Sequence, residues 1–193
     1  MTDINEQVRR PGAKTASIAD AMDDDARNQP EADPALLDLV ELLFFAYRDF
    51  TREPDKILEE IGFGRAHHRV LHFVNRHSGL RVADLLDILK ITKQSLGRVL
   101  KQLVDEGYIV QEAGKTDRRE RLLYTTARGQ ELADRLALPQ LRRIAHALDA
   151  SGAESQSCIG KFLSEMVCEA DRAQVSQLLK AGAGARGRSG EPA

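Results

Sequence analysis

Tryptophan is absent from this 193-residue chain, and aromatic residues as a whole make up only 5% of it. Such scarcity argues against a stacking platform for single-stranded nucleic acid and against an aromatic-lined sugar or lipid site. Long apolar runs are missing as well. None reaches the roughly 18 residues that a membrane span requires, and the opening stretch MTDINEQVRRPGAK lacks the apolar segment of a secretory signal. The expectation is therefore a cytoplasmic protein with no membrane partner. Cysteine is nearly absent: Cys158 and Cys168 are too few for a disulfide scaffold and form no CxxC pair. No glycine-rich phosphate loop follows a strand, and no serine, histidine and aspartate stand in a catalytic arrangement. Neither an enzyme nor a cofactor is expected. An excess of charge of one sign is lacking too, since the formal net charge is −2.

What is present is apolar material, 42% of the residues, enough for one globular body of ordinary size with tails. Residues 1–33 hold Asp23, Asp24 and Asp25 and few large apolar side chains, which predicts a disordered acidic tail. The Gly-rich, polar stretch 182–193 predicts another. Between them the pattern is almost wholly helical. Asp33-Pro34 is a cap followed by a first-turn proline, and the run LLDLVELLFFAYRDF that follows is apolar nearly all round. Such a helix must be buried on more than one side, which in a small protein calls for a partner subunit. Pro54 predicts the start of a further short helix, ended by Gly62, so that 34–63 form N-terminal dimerisation helices. A helix follows from Arg65 to about His77.

Residues 81–89 (RVADLLDIL) predict a short helix, and Ile91-Thr92 a tight turn whose Thr92 caps the next helix. In KQSLGRVLKQLVDEG, Leu96, Val99, Leu100 and Leu103 fall at i, i+3, i+4 and i+7, one clean apolar stripe that ends at Gly107. Opposite it, at 100° per residue, Gln94, Arg98 and Lys101 lie within about 60° of one another. Tyr108-Ile109-Val110 and the segment 121–125 read as strands joined by the charged turn AGKTDRRE, a hairpin with a basic tip. Thr126 caps a long helix in which Pro139 predicts a kink or break. A last helix over about 153–181 sets Ile159, Phe162, Leu163, Met166, Val167 and Ala170 on one face. Residues 130–181 then supply C-terminal dimerisation helices.

A helix, a tight turn, a second helix with a basic outer face and a basic hairpin together describe a winged helix-turn-helix: mainly α, with a small β-hairpin wing. The partner such geometry suits is double-stranded DNA, because a major groove admits one helix while a hairpin lies across the backbone towards the minor groove. Arg98 suits a guanine edge or a phosphate, Gln94 an adenine, and Lys101 a phosphate.

Residues 64–129 resemble the DNA-binding domain of the MarR family of bacterial transcriptional regulators. The resemblance rests on ITKQSLGRVLKQLVDEGYIV, with Ser95 three before Arg98 and a Gly-Tyr-Ile exit, and on TDRRERLLYTT, which matches the wing pattern with Asp117, Arg119 and the closing Thr126. Thr125 stands where the family carries leucine. The resemblance implies a homodimer on a pseudopalindromic operator. Its recognition helix 93–106, begun by Thr92, Lys93, Gln94 and Ser95, would enter the major groove, and the wing 113–121 would lie at the minor groove. In that family the wing arginine enters the groove and the aspartate braces it, roles that fall to Arg119 and Asp117, with Lys115, Arg118 and Arg121 adding phosphate attraction. It further implies a small, often aromatic effector that modulates DNA affinity, for which Phe44, Tyr47 and Phe50 are candidate pocket residues.

Rival readings remain beside this one. A winged helix can bind protein rather than DNA. A redox- or metal-responsive regulator on the same fold would use Cys158 and Cys168, or the cluster His67, His68, His72 and His77. The cysteines read rather as buried structural residues, too far apart at about 15 Å along a helix to bridge within one chain, with an intersubunit bond as the alternative. The histidines lack a neighbouring Cys or carboxylate at ligand spacing and read as partly exposed groups, so no metal site is assigned. Gly97, inside the recognition helix, reads as a packing glycine.

The small net charge conceals a partition. Residues 64–129 hold thirteen Lys and Arg against seven Asp and Glu, or +6, and the rest of the chain carries −8. The positive charge sits in the one segment whose geometry could use it on a phosphate backbone.

Overall fold

The computed structural model describes residues 33–152 and 154–186. The predicted acidic tail therefore lies outside the described residues except for Asp33. The chain divides into two units, Met1–Phe45 and Ala46–Ala193. Helix α1 (Pro34–Glu59) begins where Asp33 Oδ1 accepts from the Ala35 amide at 2.9 Å, with Pro34 placed where no donor is required. Within the first unit, Leu36, Leu37, Leu39, Val40, Leu42, Leu43, Phe44 and Phe45 are all exposed.

Contrary to expectation, α1 does not restart at Pro54. The proline lies inside the helix and is almost fully buried, on one face with Thr51 and Leu58. A proline in a helix interior costs about 3 kcal/mol. Burial of that face offsets the loss, and the Thr51 hydroxyl ties down the preceding turn by donating to the carbonyls of Tyr47 (3.1 Å) and Arg48 (3.3 Å).

The second unit continues with α2 (Arg65–Arg76), β1 (Leu80–Arg81), α3 (Val82–Leu89), α4 (Lys93–Asp105), β2 (Ile109–Ala113), β3 (Arg121–Thr125), α5 (Ala127–Ser151), α6 (Ser155–Glu165) and α7 (Glu169–Arg186). The expected winged helix-turn-helix is there, mostly helical with a small antiparallel sheet. The wing has a third strand that the sequence did not announce. In the order β1-β3-β2, Leu80 pairs with Leu123 and Arg81 with Leu122, so β3 is central. Strands β2 and β3 pair from Ile109↔Thr125 to Ala113↔Arg121.

Helix α5 runs through Pro139 without a break, whereas the last predicted helix is two. After Met166 the chain turns: the Asp171 amide donates to the Cys168 carbonyl (2.9 Å), and Arg172 donates to the carbonyls of Val167 and Glu165. Glu169 and Asp171 in the first turn of α7 suit the positive end of a new helix. That helix continues to Arg186, into the stretch read as a tail. Lys90, in the left-handed region at φ 50°, pairs with Asp171 at 3.0 Å and ties α7 to the end of α3.

One core unites the second unit. Leu58, Val70, Leu71, Val74, Leu85, Leu96, Leu103, Ile109, Leu123 and Leu136 are essentially inaccessible. The α4 stripe of Leu96, Val99, Leu100 and Leu103 is wholly inside, which fixes which side of that helix faces out. No helix among the described residues is long and apolar enough to cross a membrane.

Candidate nucleic-acid interface

Helix α4 starts as its sequence predicts. Thr92 Oγ1 accepts from the Ser95 amide at 3.1 Å and donates to Ser95 Oγ at 2.9 Å. At the other end Gly107, φ +74°, supplies the left-handed turn into β2. Lys93, Gln94, Ser95, Arg98 and Lys101 are exposed. Lys101 is not idle, since its ammonium pairs with Asp105 one turn on. Arg98 has no ion pair among the described residues. Gly97 is also exposed, and a Cβ there would meet nothing within 4 Å. The packing role expected of it is therefore corrected: the helix already turns its other side to the core.

Lys115, Asp117, Arg118 and Arg119 are exposed at the wing tip, and Arg121 opens β3. Asp117 braces the backbone rather than the guanidinium: its Oδ1 accepts from the Arg119 amide at 2.9 Å, while its carbonyl accepts from the Glu120 amide at 3.1 Å. The tip is thus a tight turn from which the Arg119 side chain stands free of ion pairs among the described residues. Between α4 and the wing runs an open groove of about 830 Å³, lined by Arg81, Lys93, Lys101, Arg119 and Arg121 among others.

Several supports of this surface escaped the sequence reading. Arg81 grips Asp84 through both carboxylate oxygens (2.6 and 2.8 Å) and reaches Glu120 at 3.2 Å, so one guanidinium joins α3 to the base of the wing. The bonds to Asp84, and then to Glu120, hold its pKa well above the usual arginine range. The spacing of Arg81 and Asp84 is local and could have been noticed; Glu120 is brought in only by the fold. Arg128 donates to the Glu106 carbonyl (2.7 Å) and the Tyr108 hydroxyl (2.9 Å) and lies over the Tyr108 ring at 4.3 Å. Thr126 Oγ1 donates to the Gly107 carbonyl (2.7 Å) and accepts from the Gly129 amide (3.0 Å). The end of α4 and the start of α5 are thereby fastened together. Thr125, where the wing pattern has leucine, donates instead to Asn75 Oδ1 at 3.2 Å and so reaches α2.

A cavity of about 400 Å³ within the second unit is lined by Tyr47, Phe50, Asp55, Arg65, His68, Arg69, His72 and Gln140 among others. Two of the predicted effector residues, Tyr47 and Phe50, are in it; Phe44 belongs to the first unit. Arg65 holds Asp55 through both oxygens (2.7 Å to Oδ2 and 3.2 Å to Oδ1) and lies over the Tyr47 ring at 5.6 Å. Burial pushes the His68 imidazole down from its ordinary 6.5, against a weaker upward pull from Asp55. Burial and Arg76 push His77 down likewise. The unfolded chain therefore binds more protons than the folded one between the native and ordinary values. The stability held by neutral His68 is complete above about pH 6.5 and is lost as pH falls through the native value. The thermal midpoint by circular dichroism is expected to drop between pH 7 and 5.5, and to drop less steeply in His68→Gln. Identical profiles would rule out His68 as a source.

His67 does not face that cavity; its ring bonds to Gln102 of α4. Among the described residues no group of three His, Cys, Asp or Glu is placed to hold a metal ion. Cys158 and Cys168 are both exposed, which corrects their reading as buried structural residues: α6, which carries Cys158, buries none of its residues, and Cys168 lies in the turn that follows it.

The model of the MarR family matches residues 61–120. The HTH-type transcriptional regulator PetP of Rhodobacter capsulatus is 42% identical over 139 residues, which are 72% of this chain and 84% of that protein. Among solved structures, NadR in complex with 4-hydroxyphenylacetate superposes with a TM-score of 0.58 at 20% identity, over 72% of this chain and 96% of that one. A mutant MarR from E. coli complexed with operator DNA gives 0.53 at 16% identity, over 72% and 100%. These two likenesses speak to the fold.

Proposed function

The chain belongs to the MarR family of transcriptional regulators, and from that premise we propose that it binds a pseudopalindromic operator as a homodimer, under the control of a small aromatic anion. The observation that carries the DNA reading is the pair of cationic walls on one groove, Lys93 and Lys101 on α4 and Arg119 and Arg121 on the wing, with Arg98 exposed on the same helix. Helix α4 enters the major groove, where Arg98 and Gln94 can reach base edges. Thr92, Lys93, Ser95 and Lys101 lie nearer the backbone, and Lys101 exchanges Asp105 for a phosphate. Lys115, Arg118 and Arg121 attract the phosphates beside the minor groove, into which Arg119 reaches from the turn that Asp117 holds. The MarR neighbour bound to operator DNA supports this reading by its fold.

Exposed apolar side chains on α1 in the first unit and on α6 in the second supply material for a dimer interface. The cavity with Tyr47 and Phe50 joins aromatic walls to Arg65, Arg69 and two imidazoles, a lining suited to an aromatic carboxylate. The NadR neighbour holds such a compound. An effector that binds the DNA-incompetent state more tightly lowers DNA affinity by the same coupling free energy.

The test starts from a duplex selected out of genomic DNA with the purified protein. Arg119→Ala is expected to weaken binding to it about tenfold near 0.1 M salt and to flatten the plot of log affinity against log salt by about one unit. Unchanged affinity and slope would sink the wing assignment, and a protein that recovers no duplex would sink the DNA reading altogether.

A further inference from the structure

We propose that the first turn of α2 carries the state of the Asp55–Arg65 pair, at the cavity, to the recognition helix, and that His67 is the positioning residue through which it does so. The proposal rests on the foregoing reading of α4 and of the cavity. It begins from a cap. Gly64, at the N-cap of α2, has no side chain to satisfy the first amides of the helix. The His67 ring does part of that work, its Nδ1 accepting from the Gly64 amide at 3.1 Å. Its Nε2 is 2.9 Å from Gln102 Oε1 on α4, and a ring with its hydrogen on Nε2 satisfies both contacts. Gln102 passes the bond on, its amide nitrogen donating to Glu106 Oε1 at 3.1 Å. The same ring stacks on Phe63 with centroids 4.5 Å apart, and Phe63 meets the edge of Tyr108, at the exit of α4, at 5.3 Å. One imidazole therefore touches the cap of α2, the last turn of α4 and the aromatic packing below them.

Arg65 stands two residues earlier in the same turn. At 100° per residue the two side chains leave the helix about 200° apart, on opposite sides. Arg65 faces the cavity, held by Asp55 and lying over Tyr47; His67 faces α4. A carboxylate in the cavity competes with Asp55 for the Arg65 guanidinium. Because a helix end is the part that opens at least cost, movement of Arg65 is taken up by the whole first turn. The opposite side of that turn carries the bond to Gln102. The cavity and the DNA-facing helix thus share one soft element.

The test uses the full-length protein and reads hydrogen exchange over residues 93–105, with duplex affinity measured on the same samples. Arg65→Ala is expected to speed exchange in α4 several-fold and His67→Leu about tenfold, the scale of losing hydrogen bonds worth about 1.4 kcal/mol. In the double variant the effects do not add, because the first substitution acts through the bond that the second removes. His67→Gln, whose amide offers both an acceptor and a donor, stays near wild type. Gln102→Leu, which cuts the same bond from the other side, reproduces the His67→Leu pattern and serves for the cycle if His67→Leu does not fold. Additive effects, or an Arg65→Ala variant with unchanged exchange in α4, would overturn the route. Non-additive exchange in proteins that bind no duplex would uphold the route and reject the reading of α4 as a DNA-contacting helix.

Discussion

Gly129→Ala is expected to destabilise the fold by about 3 kcal/mol, lowering the thermal midpoint by roughly 10 °C for a chain of this size. Helix propensity predicts the opposite sign, since alanine is favoured over glycine in a helix interior by about 1 kcal/mol. Steric contact decides the outcome. A Cβ on Gly129 would lie 2.0 Å from the Tyr108 carbonyl oxygen and 2.9 Å from its carbon. Those are backbone atoms, and the same oxygen accepts from the Thr126 amide at 3.1 Å, so it has no free direction in which to retreat. The shift must be taken by the start of α5. It loosens the Thr126 cap, itself worth about 1 kcal/mol, and the Arg128 contacts beside it. Gly97→Ala is the internal control: its Cβ meets open space, so the substitution should stabilise by up to about 1 kcal/mol. Circular dichroism melting of the two variants reads both signs. A Gly129→Ala midpoint at or above wild type would show that α5 does not press on the Tyr108 carbonyl.

On the proposed homodimer, Phe162→Glu is expected to leave a monomer at micromolar concentration and to weaken operator binding about a hundredfold, because two linked half-site contacts become one. Ile159, Phe162 and Leu163 recur at helical spacing on α6, Met166 at its C-cap continues the series, and Phe162 is 53% exposed. A carboxylate placed within an apolar interface loses hydration that nothing there restores. In a monomer the same side chain stays in water, so the helical circular dichroism of the variant should match wild type. Sedimentation equilibrium gives the mass directly. A variant that remains dimeric would place the subunit interface elsewhere than on this face of α6.

The parts of this molecule that were legible in the sequence are those set by neighbours along the chain. The stripe Leu96, Val99, Leu100 and Leu103 fixed the orientation of α4, Thr92 and Thr126 announced the N-caps of α4 and α5, and the turn between two short β-branched and aromatic runs announced the wing. The misreadings came where packing outweighed a local signal. Pro54 marks a helix start by rule, yet the buried face it shares with Thr51 and Leu58 keeps α1 continuous. Strand β1 is two residues long and exists only because β3 offers a free edge. No periodicity shows that Gly129 rather than Gly97 is the glycine in close contact, since the atoms concerned come from Tyr108, far back along the chain. The cluster of histidines was visible, but the division between His67, turned to α4, and His68, turned to the cavity, depends on how α2 sits between its neighbours.

The Arg128 and Thr126 fastening makes a lever of α5. Its 25 residues span about 37 Å at 1.5 Å each. A tilt of about 5° at the far end of such a rod displaces the near end by about 3 Å, close to the 3.4 Å step between base pairs. Because the near end is joined to α4 by the Glu106, Gly107 and Tyr108 contacts, that displacement is passed to the recognition helix with little slack. The core residues Leu132, Ala133 and Leu136 lie on the same rod, so α4 and the core beside it swing with α5 as one body, and in the operator-bound homodimer proposed above such a swing would shift each half-site contact by nearly one base pair.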